Sequence, residues 1–228
     1  MRSRSFFLIV FLYSSLYYNC LGGKTCSDED KSCSTQALLT SAFSVPEGIY
    51  VYSTNAKYQG NLAAYGSTLE ISGQNICRGE KLFSSLVNQF CPDVWALIST
   101  VSVALYNYNT SYSVPAGLPV YGPTGGILAS NWDNFVVNGG TQLLQSLASA
   151  GLGTEDFWSY SAQGGGLAGN DCSQGTDKTS EFFGAIGSAT TTNTDWLSQN
   201  GETTVSCDTS HRVLCICFTP DSSSQQAQ

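Results

Sequence analysis

Hydrophobic and polar residues follow a few distinct patterns along this chain, and each pattern predicts an element. The run Ile49-Tyr50-Val51-Tyr52-Ser53-Thr54 is β-branched and aromatic, the composition of a strand. Leu69, Ile76, Phe83 and Val87 recur at spacings of 7, 7 and 4, with Leu82 and Leu86 beside them. That spacing lays one apolar stripe along a helix from about Leu69 to Val87, and Cys77, next to the stripe, is expected to face the core. After Pro92, Val94-Trp95-Ala96-Leu97-Ile98-Ser99 is an unbroken apolar stretch and reads as a buried central strand. Tyr106–Gly126 is rich in Asn, Tyr, Pro and Gly and reads as a long loop. Ile127-Leu128-Ala129 leads into a short turn or cap at Ser130-Asn131-Trp132-Asp133-Asn134, with Trp132 expected in the core. Gln142–Ala148 is a brief helical candidate, Asp156–Ser161 a further strand, and His211–Phe218 the closing strand. Strand, helix, strand, looping excursion and terminal strand predict one α+β domain over residues 49–218 with a loop-rich second half. That length suffices to bury a core.

The flanks carry different signals. Arg2 and Arg4 precede the apolar run Phe6-Phe7-Leu8-Ile9-Val10-Phe11-Leu12-Tyr13, so residues 1–19 read as a secretory signal. The run is shorter than the roughly 20 residues that span a bilayer. Cys20 follows Leu16-Tyr17-Tyr18-Asn19 and has two readings: a lipid-modified first residue of the mature chain, or the end of a discarded leader. Leu-Tyr-Tyr-Asn-Cys departs from a strict bacterial lipobox, which has small residues before its cysteine, and is nearer the looser spirochaete form. Residues 20–48 are small, polar and acidic and read as a flexible tether, in which Cys26 and Cys33 are placed to form a local bridge. The Ser/Gln-rich residues 219–228 read as a frayed tail.

Of the nine cysteines, eight lie beyond Cys20: Cys26, Cys33, Cys77, Cys91, Cys172, Cys207, Cys215 and Cys217. An even number in an exported chain predicts four disulfides and an oxidising space outside the cytoplasm. A redox site is the rival reading, but no Cys-x-x-Cys is present. Loss of residues 1–19 removes two arginines and leaves 7 basic against 17 acidic residues, hence a formal charge of −10. Nucleic acids and heparin-like polyanions need a basic surface, so neither is an expected partner. The lone histidine, His211, has Asp208 and Ser210 nearby in sequence, but strand neighbours face opposite sides and form no triad. One histidine without free thiolates also argues against a zinc site. No catalytic residue, metal or cofactor is therefore assigned, with a hydrolase of unrecognised type the least favoured reading.

A resemblance adds to this. The ordered set runs Tyr50–Thr54, Tyr58-Gln59-Gly60-Asn61-Leu62, Ile76-Cys77, Trp95–Ser99, Ile127–Trp132, Phe157-Trp158, Asn170-Asp171-Cys172, Asp195-Trp196 and Cys207-Asp208-Thr209-Ser210-His211-Arg212-Val213-Leu214-Cys215. It resembles the leptospiral endostatin-like surface lipoproteins, over nearly all of residues 49–218. The resemblance implies a C-type-lectin-like, endostatin-like domain, surface display, and binding of host extracellular-matrix or plasma proteins, with membrane contact through the lipid anchor only. It also implies Cys77–Cys215, tying the first helix to the last strand, and Cys172–Cys207, closing the late loop. Cys91 and Cys217 depart from the family pattern. Cys215 and Cys217 alternate on one strand face, which lets Cys77 and Cys91 reach them side by side.

The tripeptides of calcium-dependent lectin sites are missing, since Trp132-Asp133-Asn134 has their residue types in another order and place. Calcium-independent sugar binding by aromatic stacking stays open. Candidate ligand contacts are Tyr106, Tyr108, Tyr112 and Tyr121 of the long loop, which otherwise pack the loop onto the domain, and the Gly-rich stretch Gly164–Gly175 with acidic side chains. For the anchor, wild-type chain is expected in the detergent phase and Cys20→Ala in the aqueous phase. A freely soluble wild type with its N-terminus beyond residue 20 would exclude lipidation.

Overall fold

The computed structural model describes residues 46–81, 92–137, 143–198 and 203–219. Its sheet is assembled on the last strand, β8 (Arg212–Phe218). Seven further strands precede it among the described residues: β1 (Ile49–Ser53), β2 (Asp93–Ala96), β3 (Val120–Tyr121), β4 (Ile127–Ala129), β5 (Phe157–Trp158), β6 (Phe183–Gly187) and β7 (Thr204–Ser206). Antiparallel β1 lies along one edge of β8, from Tyr50 opposite Cys217 to Ser53 opposite Leu214. The other edge is divided. Antiparallel β2 takes the C-terminal part, from Asp93 opposite Phe218 to Ala96 opposite Cys215, and parallel β5 takes Arg212 and Val213. Outward from β1 come β3 and β4; outward from β5 come β6 and β7. With helix α1 (Leu69–Lys81) against it, the domain is α+β as the residue patterns predict.

Alternation along β8 separates two packing layers. Leu214, Ile216 and Phe218 join Ile49 and Val51 in the main core with Leu105, Val120, Leu128, Trp132, Phe135, Phe157 and Trp196. On the opposite face Cys215 is bonded to Cys77 of α1. Tyr52, paired with Cys215, donates its hydroxyl to the Cys77 carbonyl at 2.8 Å. Gly73 lets α1 approach the sheet, since a Cβ there would lie 2.8 Å from that of Ala96. The helix starts where its sequence directs: Thr68 Oγ1 accepts from the Ile71 N–H, and Glu70 occupies the first turn, favourable at the positive end of the helix dipole. Residues 82–87 of the expected helix lie outside the described residues.

The second half departs most from expectation. The helical candidate Gln142–Ala148 is a series of turns over residues 143–150, with Gln142 outside the described residues. Leu143 and Leu147 are both buried, four apart as in a helix. Their backbone, however, is bonded elsewhere: Leu143 N–H donates to Thr192 O, Leu144 to Leu128 O and Ala148 to Ala189 O. Neighbouring segments supply the partners that an i−4 carbonyl would have supplied. The stretch expected as loop over Tyr106–Gly126 carries the helical turns Leu105–Asn107 and Tyr108–Ser111 and strand β3. The turn after Ala129 forms with Asn131 Oδ1 accepting from Asn134 N–H, and Trp132 is fully buried.

The burial pattern in the turns makes a paired test. Leu147→Ala, at a fully buried position, should cost about 2–5 kcal/mol in chemical denaturation. Leu144→Ala, at a side chain 67% exposed, should stay within about 0.5 kcal/mol of wild type.

Candidate functional site

The four tyrosines that sequence reasoning singled out do not form one surface. Tyr108 is a core residue whose hydroxyl lies 2.8 Å from Ala96 O and 2.7 Å from Ile98 O, and burial raises its pKa well above the ordinary value. Tyr112 is half-buried and stacks on Trp95 with ring centroids 3.7 Å apart. Tyr121 stacks on Tyr50 at 5.3 Å and covers Gly48, where a Cβ would meet its ring. These three pack the loop onto the domain. Tyr106 alone of the four is largely exposed, and its ring lies beside Gly166.

The other stretch named from sequence, Gly164–Gly175, forms half of a cleft of about 300 Å³. Its lining is Gly169, Asn170, Asp171 and Ser173 from one segment and Glu181, Phe182 and Phe183 from the entry to β6. The two walls are joined by main-chain bonds: Ala185 N–H donates to Asn170 O at 2.9 Å, and Asp171 and Gly184 form a bridge. Beyond them Cys207 N–H donates to Phe182 O.

Below this cleft lies the Cys172–Cys207 disulfide, both of whose residues are fully buried. Gly60 and Gly184 pack directly on its sulfur, and a Cβ at either would collide with Cys172 Sγ. Tyr160 donates its hydroxyl to Gly60 O at 2.6 Å, fixing the same floor from beneath. Cys172, Ser173, Gln174 and Gly175 have φ of 53°, 55°, 59° and 69°, a left-handed turn that side-chain-bearing residues seldom adopt in succession. Local bonds hold it: Asp171 Oδ1 accepts from Gln174 N–H at 2.9 Å and Asp171 O from Gly175 N–H at 2.8 Å. Phe182 and Phe183 remain 45% and 47% exposed on the rim. The pair was not singled out from sequence because adjacent strand residues point to opposite faces, and here neither face is covered where β6 begins. The signal was present as two aromatics beside Glu181.

Cations are distributed away from this cleft. Lys57 Nζ and Arg212 Nε both bind Glu155, at 2.6 and 2.7 Å, and these bonds lower the Glu155 pKa. Among the described residues no ion pair reaches Asp171 or Glu181, and no group of three or more His, Cys, Asp and Glu is placed to hold a metal ion. The disulfides Cys77–Cys215 and Cys172–Cys207 are the two that the resemblance implied. Cys217 is disulfide-bonded; Cys20, Cys26, Cys33 and Cys91 lie outside the described residues. Disulfides of this kind persist in oxidising space outside the cytoplasm. No helix among the described residues is long and apolar enough to cross a membrane.

His211 directly precedes β8, with its ring edge-on to Trp158, centroids 4.8 Å apart, and Nε2 3.2 Å from Thr209 Oγ1. Asp208 Oδ1 instead accepts from Ser206 Oγ at 2.6 Å, which holds its own turn. No family model matches this chain, and no curated protein matches it.

Burial lowers the His211 pKa; Lys57 adds to this, while the Asp156 backbone and the charges of Asp156 and Glu155 oppose it. Unfolded histidine takes up its proton near about 6.5, so below that pH the unfolded state binds more protons and stability falls. Glu155, with its lowered pKa, adds a loss only below the carboxylate range. Asp156, raised by burial, acts in the opposite sense, its contribution lost as pH rises above the carboxylate range. Denaturation midpoints should therefore drop between pH 7.5 and 5.5, with a slope no steeper than about 1.4 kcal/mol per pH unit. His211→Gln should flatten that segment, and an unchanged slope would remove His211 as its source.

Proposed function

We propose that this chain is an exported, lipid-anchored surface binding module. Its domain is of the C-type-lectin-like, endostatin-like kind, it carries no catalytic machinery, and it engages host extracellular-matrix or plasma proteins. The observation that supports this reading most is the disulfide-floored cleft with Phe182 and Phe183 exposed on its rim. Paired exposed aromatics are costly to leave in water and are typical of surfaces that meet another protein. The leader and Cys20 supply the route to the surface.

A second reading, calcium-independent carbohydrate binding, is favoured by Tyr106. Its exposed ring lies beside Gly166 on the turn that follows Gln163. Gln163 Nε2 donates to Asp195 Oδ1 at 2.6 Å and Asn193 Nδ2 to Asp195 Oδ2 at 3.2 Å, a fixed polar group of the type sugars use.

Surface plasmon resonance of the mature chain against laminin, fibronectin, factor H and heparin, at low and high salt, separates the readings. At least one host protein should bind, with modest affinity and partial salt sensitivity, and heparin should not. Strong heparin binding would overturn the electrostatic argument. Silence toward every host protein, with signal on a glycan array, would transfer the assignment to a lectin.

A further inference from the structure

The cleft has a chemistry more specific than an aromatic rim. Two carboxylates, Asp171 and Glu181, line it together with two phenylalanines. No described cation is paired with either acid, because the two described ion pairs both go to Glu155. Lys178, on the same excursion, does not line the cleft. The mature chain, with 7 basic and 17 acidic residues, offers little positive charge from elsewhere to neutralise the pair.

We infer that this cleft receives a cationic side chain, arginine before lysine, presented by an apolar segment of the partner protein. The inference rests on the binding-module reading above and names the chemistry that its surface selects. A guanidinium stacks on aromatic faces and donates in a fork to carboxylates, so one group satisfies both halves of the lining. Lysine meets the charge but not the fork. Volume fits the same occupant: about 300 Å³ is at the lower end of the roughly 300–1,000 Å³ of small-ligand sites, room for a side chain and its flanks.

The site is also held ready. The Asp171 carboxylate is positioned by the Gln174 N–H, the left-handed turn is pinned at Cys172 by its disulfide, and Asn170 is bonded to β6. Little ordering remains to be done on binding, which is how a small cleft reaches useful affinity. A bound metal ion is a poorer fit, because among the described residues no third His, Cys, Asp or Glu joins the two acids.

The test uses full mature chain in detergent and four fluorescent heptapeptides with one central residue between leucines: arginine, lysine, citrulline or glutamate. Citrulline keeps the shape of arginine and removes its charge. Fluorescence anisotropy should rank arginine first, lysine second, citrulline weaker than arginine by at least about threefold, and glutamate without binding. Glu181→Gln and Phe182→Ser, both at exposed positions, should each weaken the arginine peptide by a similar factor without moving the denaturation midpoint. Tyr106→Ser should leave it unchanged.

Equal binding of the arginine and citrulline peptides, or no saturable binding of the arginine peptide, overturns the inference and needs no variant to be folded. The same variants are then measured on any host protein that binds wild type. Undiminished host binding by Glu181→Gln and Phe182→Ser overturns the cleft while leaving the binding-module reading intact. Absence of host binding by wild type overturns the reading itself.

Discussion

Strand β8 is hydrogen-bonded along both edges and covered on both faces, and the two-residue period along it decides what each layer contains. One face takes Leu214, Ile216 and Phe218 into the aromatic core, and the other takes Cys215 to α1. A shift of one residue would exchange these sets, putting the cysteine in the aromatic core and large apolar groups against the helix. The Cys77–Cys215 bond, closing 138 residues, fixes that register covalently. The chain-entropy account assigns such a closure about 5 kcal/mol, and the 35-residue Cys172–Cys207 closure about 4 kcal/mol. The rest of the domain hangs from this arrangement: β1 places Tyr52 over Cys77, and β5 carries the chain toward the loops that build the cleft.

The two disulfides act on different parts of the fold. Cys77–Cys215 joins two regular elements within the body of the domain. Cys172–Cys207 instead lies beneath irregular chain, where few ladder bonds are available to oppose the backbone cost of a left-handed turn. Gly60 and Gly184 are required there because the sulfur occupies the space a Cβ would need. Tyr160, Trp158 and Gly60 complete a rigid floor, and only the rim above it, with Phe182, Phe183, Asp171 and Glu181, is open to a partner. Rigidity below and an aromatic, acidic rim above are the features on which the proposal of a binding site rests.

Charge distribution follows the same division of labour. The described cations near β8 are consumed in holding the fold: Arg212 bonds Glu155 and the Thr54 carbonyl, and Lys57 bonds the other Glu155 oxygen. His211 is held in a half-buried place against Trp158, where burial disfavours its charged form. The acids of the cleft are left without such partners, so the surface that faces outward there is aromatic and negative.

Period and composition carried much of the framework. The β-branched and aromatic run Ile49–Thr54, the closing run His211–Phe218 and the 7-7-4 stripe from Leu69 are local signals, and β1, β8 and α1 stand where they point. The apolar run after Pro92, expected as a buried central strand, instead gives a β2 that ends at Ala96 and pairs only with β8 among the described strands. The eight cysteines beyond Cys20 form an even set, and the described disulfides are those of an oxidised fold. The second half was not legible in the same way, because its elements are defined by distant partners. Leu143 and Leu147 have helical spacing, yet Thr192, Leu128 and Ala189 take the backbone bonds of this segment. Tyr106, Tyr108, Tyr112 and Tyr121 look alike in sequence, and only the path of the loop leaves one exposed and sends the others onto Ala96, Trp95 and Tyr50. The cleft is the clearest case. Asp171 and Phe183 are brought together by a bridge between Asp171 and Gly184 across a separation that no local pattern records. Sequence determines which residues prefer strand, helix or turn, since those preferences act over a few bonds; which polar groups remain unpaired at the surface depends on every neighbour at once, and tertiary structure alone decides it.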